Sequence, residues 1–312
     1  MNELFDKLII RIVFAILICL TLIFYKYLHI VFYPSARKQL FRTFYPSKNP
    51  ADTLHLFSRI LGVGIILSGF HFYLGNGLGM AIYDLLLSTI VVFALYLGSL
   101  YVLESIVLGS YEYSDEVLKR KNLSYGIICF ANSLAMAYLA KAILSISKES
   151  LIMLSILWLF AMAITGIAMK GFDLISKLPF HKLLAQKNIA VAFSYTGFIW
   201  GWTLLVTNSL EHDLVDLKSY SIQFLLKIIL SAIVFPLFKQ GLSLIYQLKD
   251  ESGAIAPVHG VGINATSSME MLYHEGPGVG TGLYEGVLFF TSAFLTGIIT
   301  ASIDFGSFYP VF

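Results

Sequence analysis

The sequence predicts an all-α, polytopic integral membrane protein with eight transmembrane helices, arranged as four parallel two-helix repeats. Three observations predict it. Of the 312 residues, 57% are hydrophobic and only 13% are charged, against about a quarter charged in a soluble domain. Eight apolar stretches approach or exceed the roughly 20 residues that a helix needs to cross about 30 Å of hydrocarbon. A Lys-Asn pair followed by small residues recurs where alternate stretches begin.

The stretches run over residues 12–32, 60–74, 81–108, 123–146, 151–169, 189–206, 222–245 and 286–303. The first is longer than a signal-peptide core and lacks a small-residue cleavage pattern after it, so it is read as a retained helix. The second is too short to span unless it recruits residues upstream of Arg59. What remains holds no sizeable soluble domain. The net charge of +2 comes with no long basic run, which argues against nucleic-acid binding. Cys19 and Cys129 both fall inside apolar stretches, where they read as small buried hydrophobes, so neither a disulfide framework nor a thiolate metal site is expected. No cofactor is expected either.

Lys and Arg accumulate in cytoplasmic loops. The first loop carries Arg37, Lys38, Arg42 and Lys48, the third Lys119, Arg120 and Lys121, and the fifth Lys177, Lys182 and Lys187. The second, Gly75 to Gly79, carries none, the fourth only Lys148 and the sixth only Lys218. Odd loops are therefore expected in the cytoplasm and both termini outside.

The internal repeat is seen by setting "KNLSYGIICFANSLA", from Lys121, above "KNIAVAFSYTGFIWG", from Lys187. Each has Lys-Asn, then small residues two and four positions after the Asn: Ser124 and Gly126, Ala190 and Ala192. "KNPADTLHLFSRILG", from Lys48, keeps Lys-Asn and Ala51, and a fourth copy is placed at Gly282 on small-residue spacing alone. Each unit is a leading helix, a loop and a motif helix, all motif helices crossing in one direction. This differs from the inverted repeats of many secondary transporters.

The Asn-x-small-x-small motif, with a basic amphipathic loop before it and a Gly/Ala-dotted helix after it, resembles the YjfL-like bacterial membrane proteins, domain of unknown function 350. The best match is "FDLISKLPFHKLLAQKNIAVAFSYTGFIWGWTLL", from Phe172, with Asn122 onward next. The resemblance implies four-helix units bearing the motif at the second and fourth helices. The chain would be two units in tandem, residues 1–147 and 148–312, the second with a cytoplasmic insertion at about 249–281. It also implies an inner-membrane location and a link to envelope stress, but no biochemical activity.

Several residues are candidates for function. Asn49, Asn122 and Asn188 stand at motif-helix N-termini, where Asn caps orphan backbone N–H groups and anions are attracted. Ala131, Ala135, Gly197, Gly201, Ala293, Gly297 and Ala301 form small-residue seams through which membrane helices approach closely. The motif helices are thus expected to form an inner core, with the leading helices facing lipid. Charged residues within the spans are Asp84, Glu104, Lys141, Lys170, Lys227, Lys239 and Glu285. Counted at 1.5 Å per residue, Lys227 and Lys239 lie roughly 10 and 8 Å from the middle of their span. An outer layer of Asp84, Lys141 and Lys227 and an inner layer of Glu104, Lys239 and Glu285 are candidates for ion pairs, and Asn132 for a bond across helices. The insertion carries His259, Glu270, His274 and Glu275, yet the gap between its imidazoles matches no usual zinc spacing.

Three functions stay open. One is a structural or accessory subunit that assembles with itself or with other envelope proteins in the lipid bilayer. Another is a channel or transporter for ions or small polar solutes. The third is a membrane enzyme whose His259, His274 and Glu275 converge.

Overall fold

The computed structural model describes residues 2–37, 40, 48–70, 77–109, 111–147, 150–212, 217–246, 277–303 and 305. Its long helices are α1 (Asn2–Phe32), α2 (Pro50–Leu67), α3 (Leu78–Val107), α4 (Leu123–Ile146), α5 (Leu151–Lys170), α6 (Ile189–Leu210), α7 (Leu217–Tyr246) and α8 (Val279–Ala301). No strand occurs among the described residues. All eight helices contain a window long and apolar enough to cross a bilayer, as expected for an all-α polytopic membrane protein.

Local chemistry fixes where the motif helices begin. The side chains of Asn49, Asn122 and Asn188 accept from the backbone N–H of Asp52, Tyr125 and Ala190. Lys121 and Lys187, immediately before two of these caps, both adopt left-handed backbone (φ 49° and 59°), an uncommon state for a non-glycine residue. Two copies of the repeat thus share a main-chain turn as well as a sequence.

Two helices begin earlier than the hydropathy spans suggest. Pro50 takes the first helical position of α2, where its missing N–H costs nothing. The helix therefore starts ten residues before the span at 60–74 and carries Asp52, His55 and Arg59 into the bundle. At the other end of the chain, α8 starts at Val279 with Gly278 as its N-cap residue. The fourth copy of the motif is thus headed by Gly278, and Gly282 lies one turn inside the helix. Packing supports this register: Gly282 meets the backbone of Ala190 just as Gly126 meets that of Ala51.

The motif helices lie side by side, α2 on α4, α4 on α6 and α6 on α8. Their contacts climb together, Ala51 and Gly62 against Gly126 and Ala137, and Ala190 and Gly201 against Gly282 and Ala293, so neighbours run parallel. Within their most apolar windows, α2, α4, α6 and α8 are 56, 61, 72 and 50% buried, whereas leading helices α1, α3, α5 and α7 are 17, 44, 28 and 28% buried. The leading helices flank the row: α1 packs on α3, α3 and α5 on α4, α5 also on α6, and α7 on α8 and α6.

Candidate functional site

Each motif Asn does two jobs on one face of the bundle. While its oxygen caps its own helix, its Nδ2 donates to a carbonyl in the segment leading into the next motif helix. Asn49 reaches Val117 O at 2.7 Å, Asn122 reaches Leu184 O at 3.0 Å, and Asn188 reaches Pro277 O at 3.1 Å. Asn122 also donates to Glu116 at 2.9 Å, and Glu116 pairs with Arg120. Arg120 and Lys187 complete the joint between units, donating to Ala185 O and Arg120 O at 2.7 Å each. Three successive Asn residues thereby link the four motif helices at their N-terminal ends.

Beneath this face lie two buried ion pairs, one in each half of the chain. In the second half Lys239 Nζ stands 3.0 Å from Glu285 Oε1 and donates to Ile175 O at 2.8 Å. Glu285 also accepts from the Ser194 and Ser176 hydroxyls, at 2.6 and 2.9 Å, and from the Lys177 N–H at 2.9 Å. All its near neighbours therefore donate to it.

In the first half Glu104 pairs with Arg59, whose Nη2 lies 2.7 Å from Oε1. Tyr33 donates to the other oxygen at 3.0 Å, and the Arg59 guanidinium sits 3.8 Å from the centre of the Tyr33 ring. Arg59 Nη1 is 3.0 Å from His29 Nε2. Asp52, one turn from His55, accepts from the Tyr113 hydroxyl at 2.6 Å, and the His55 and Tyr113 rings lie 4.4 Å apart. Outside the spans, burial and then this bond to Asp52 push the Tyr113 hydroxyl well above its ordinary range. Asp52, His55 and Arg59 are spaced i, i+3 and i+7, one face of α2, and all are buried.

The charged layers expected from sequence are therefore arranged differently in detail. Lys239 and Glu285 meet, whereas Glu104 joins Arg59, which stands one residue ahead of the 60–74 span. Asp84 is exposed, Lys141 half-buried and Lys227 buried, and among the described residues no ion pair joins these three to one another. Lys170 is exposed at the end of α5. Asn132 accepts from the Tyr195 hydroxyl across to α6 at 3.0 Å. Sequence reasoning passed over His29, Asp52, His55 and Arg59. The signal that would have found the last three is the i, i+3, i+7 spacing behind the Asn49-Pro50 helix start.

The small-residue positions divide by seam. Gly197 faces the Gly286 backbone, and Gly201 lies against Ala293 and the Phe289 carbonyl. Ala131 and Ala135 are buried, the former accepting from Trp200 Nε1 at 3.1 Å. Gly297 stands beside Asn208, and Ala301 is exposed at the end of α8. Cys129 is buried, but Cys19 faces outward from the bundle. His259, Glu270, His274 and Glu275 lie outside the described residues.

Eight membrane-type helices in tandem motif-bearing units define the class, a polytopic helical membrane protein built by duplication. The chain matches the family described as Domain of Unknown Function (DUF350) over residues 3–144 and again over residues 146–268. It belongs to that family and carries its unit twice in tandem. Comparison with curated proteins and with solved structures gave no match.

Proposed function

We propose that this chain is a structural or accessory subunit of an envelope-stress-related assembly in the bacterial inner membrane. On this reading the Asn-capped face lies in the cytoplasm, both termini lie outside, and further copies or other envelope proteins are its partners. The observation that carries it is the α6–α8 seam. At Gly197, Gly282 and Gly286 the two backbones meet with no room for even a Cβ, so no solute path runs along that seam. Close packing through small residues is how helices gain association energy where lipid removes the hydrophobic drive.

Purified protein in sealed vesicles tests this reading. Proton and potassium leak should equal that of protein-free vesicles, and sustained flux through the wild type would contradict it. One observation favours permeation instead. Asn132 Nδ2, Ser133 Oγ, Thr203 Oγ1 and Thr207 Oγ1 are buried on α4 and α6 without a hydrogen-bond partner among the described residues, and buried polar atoms are usually satisfied. A water-filled path past them would supply partners, and the same flux measurement would detect it.

A further inference from the structure

The polar cluster in the first half contains more than an ion pair. His55 on α2, Glu104 on α3 and Cys129 on α4 offer an imidazole nitrogen, a carboxylate oxygen and a thiol sulfur, all within 4.8 Å of one another, and all three residues are buried. We propose that these residues bind a divalent ion of the zinc type, which joins α2, α3 and α4.

Four features of the cluster support the assignment. The first is His55 itself. It is wholly buried, and neither ring nitrogen meets a hydrogen-bond partner among the described residues. A buried polar group without a partner is costly, and coordination by one nitrogen would remove part of that cost.

Donor chemistry is the second. One nitrogen, one sulfur and one carboxylate oxygen from three chain segments match the three-ligand sites of zinc, whose fourth position is left to water or another ligand. A hard ion such as magnesium prefers oxygen donors and keeps its own waters, so the set selects against it.

The third is orientation. Arg59 and Tyr33 each hold one oxygen of Glu104. A carboxylate has about four lone-pair sites, so these bonds fix its direction and still leave acceptor capacity. Hydrogen bonds that aim a ligand in this way accompany most metal sites. The Tyr113 ring, tilted 32° against the imidazole with its centre 4.4 Å away, limits the freedom of His55 as well.

Charge balance is the fourth. With Asp52 and Glu104 as carboxylates, the pocket of Arg59, Asp52 and Glu104 carries one uncompensated negative charge. A divalent ion that displaces the Cys129 proton to bulk water forms a sulfur–metal bond and brings the pocket to neutrality. A low-dielectric site favours that state, because uncompensated buried charge is expensive.

Depth leaves a way in. Counted along the helices, Glu104, His55 and Cys129 lie roughly 5, 8 and 9 Å from the nearest helix end, all on the Asn face.

The test uses the full-length protein in detergent micelles, stripped of metal and titrated with Co²⁺ as a spectroscopic probe and then with Zn²⁺. The wild type should develop a sulfur-to-cobalt charge-transfer band that saturates at one Co²⁺ per chain and is removed by Zn²⁺. Cys129→Ala should abolish the band, His55→Ala should weaken Co²⁺ binding at least tenfold, and Cys19→Ser should keep the band unchanged. Tyr33→Phe, which frees one Glu104 oxygen, should weaken binding by roughly 10-fold. Absence of the band from the folded wild type overturns the proposal even if the variants fail to fold. So does a band that survives Cys129→Ala or disappears with Cys19→Ser. Vesicle leak does not enter this readout, so the metal site and the proposed function fail separately.

Discussion

The two halves of the chain hold their helices together by different means. In the first half α1, α2 and α3 converge on side chains: Arg59, Glu104, His29, His55 and Tyr33 form one buried cluster, with Asp52 and Tyr113 bonded beside it. In the second half the main chains themselves meet at three glycines, Gly197, Gly282 and Gly286, where the first half has the single looser approach of Gly126 to Ala51, and one Lys239–Glu285 pair lies beside the seam. Both are answers to the same problem. Lipid tails are as apolar as leucine, so membrane helices associate through close packing and polar bonds. One half relies mainly on polar bonds and the other mainly on packing.

This contrast makes the consequences of substitution differ in size and kind. Gly286→Leu should have the largest effect, because its new side chain would have to displace the Phe193 carbonyl on α6. We expect loss of the monodisperse species in gel filtration, as overpacking against backbone has no rotamer escape. Gly64→Leu is the control, since nothing lies within 4 Å of the added Cβ. It should leave the elution profile unchanged.

Removing Arg59 comes next. Arg59→Met leaves Glu104 charged and buried, which should cost about 3–5 kcal/mol in a thermal or denaturant melt. The double variant Arg59→Met/Glu104→Met should recover much of that loss. If it does not, the first half is held by something other than the pair.

Glu285→Gln should cost less, about 1–3 kcal/mol, for an amide oxygen in place of Oε1 still accepts from the Lys177 N–H and Lys239, while the Ser176 and Ser194 hydroxyls can turn to accept from the new amide NH2. A loss equal to that of Arg59→Met would erase the distinction between halves. Asn188→Ala should be the mildest, about 1–2 kcal/mol for a cap that also tethers Pro277. The comparison to make is Asn122→Ala, which additionally breaks a bond to Glu116 and should cost more.

Much of this layout could be read directly from the residues. Composition and the eight apolar stretches set the class, and Lys-Asn followed by small residues marked three motif helices and their common direction. The charged cluster stayed hidden because hydropathy counting rejects the very residues that make it. Asp52, His55 and Arg59 lower the apolar score of α2, so its continuous apolar run begins only after them, although Asn49-Pro50 is a complete helix start. The fourth repeat was placed one turn late for a related reason. With Asn absent, only small residues mark it: Gly280 and Gly282 stand two and four positions after Gly278, whereas Gly282 itself is followed at those positions by Tyr284 and Gly286. Contact with Ala190 fixes the register. Pairing of Glu104 with Arg59 rather than with Lys239 depends on which helices are neighbours, and a single sequence does not carry that order.

The central claim is that parallel motif helices form the interior row, joined at one face by their Asn caps. The most direct measurement is an electron cryomicroscopy reconstruction of the protein in lipid nanodiscs. It should show α2, α4, α6 and α8 side by side, Asn49, Asn122 and Asn188 on one face, and Gly197 against Gly286. Ordered lipid between α6 and α8, or motif-helix N-termini on opposite faces, would contradict it.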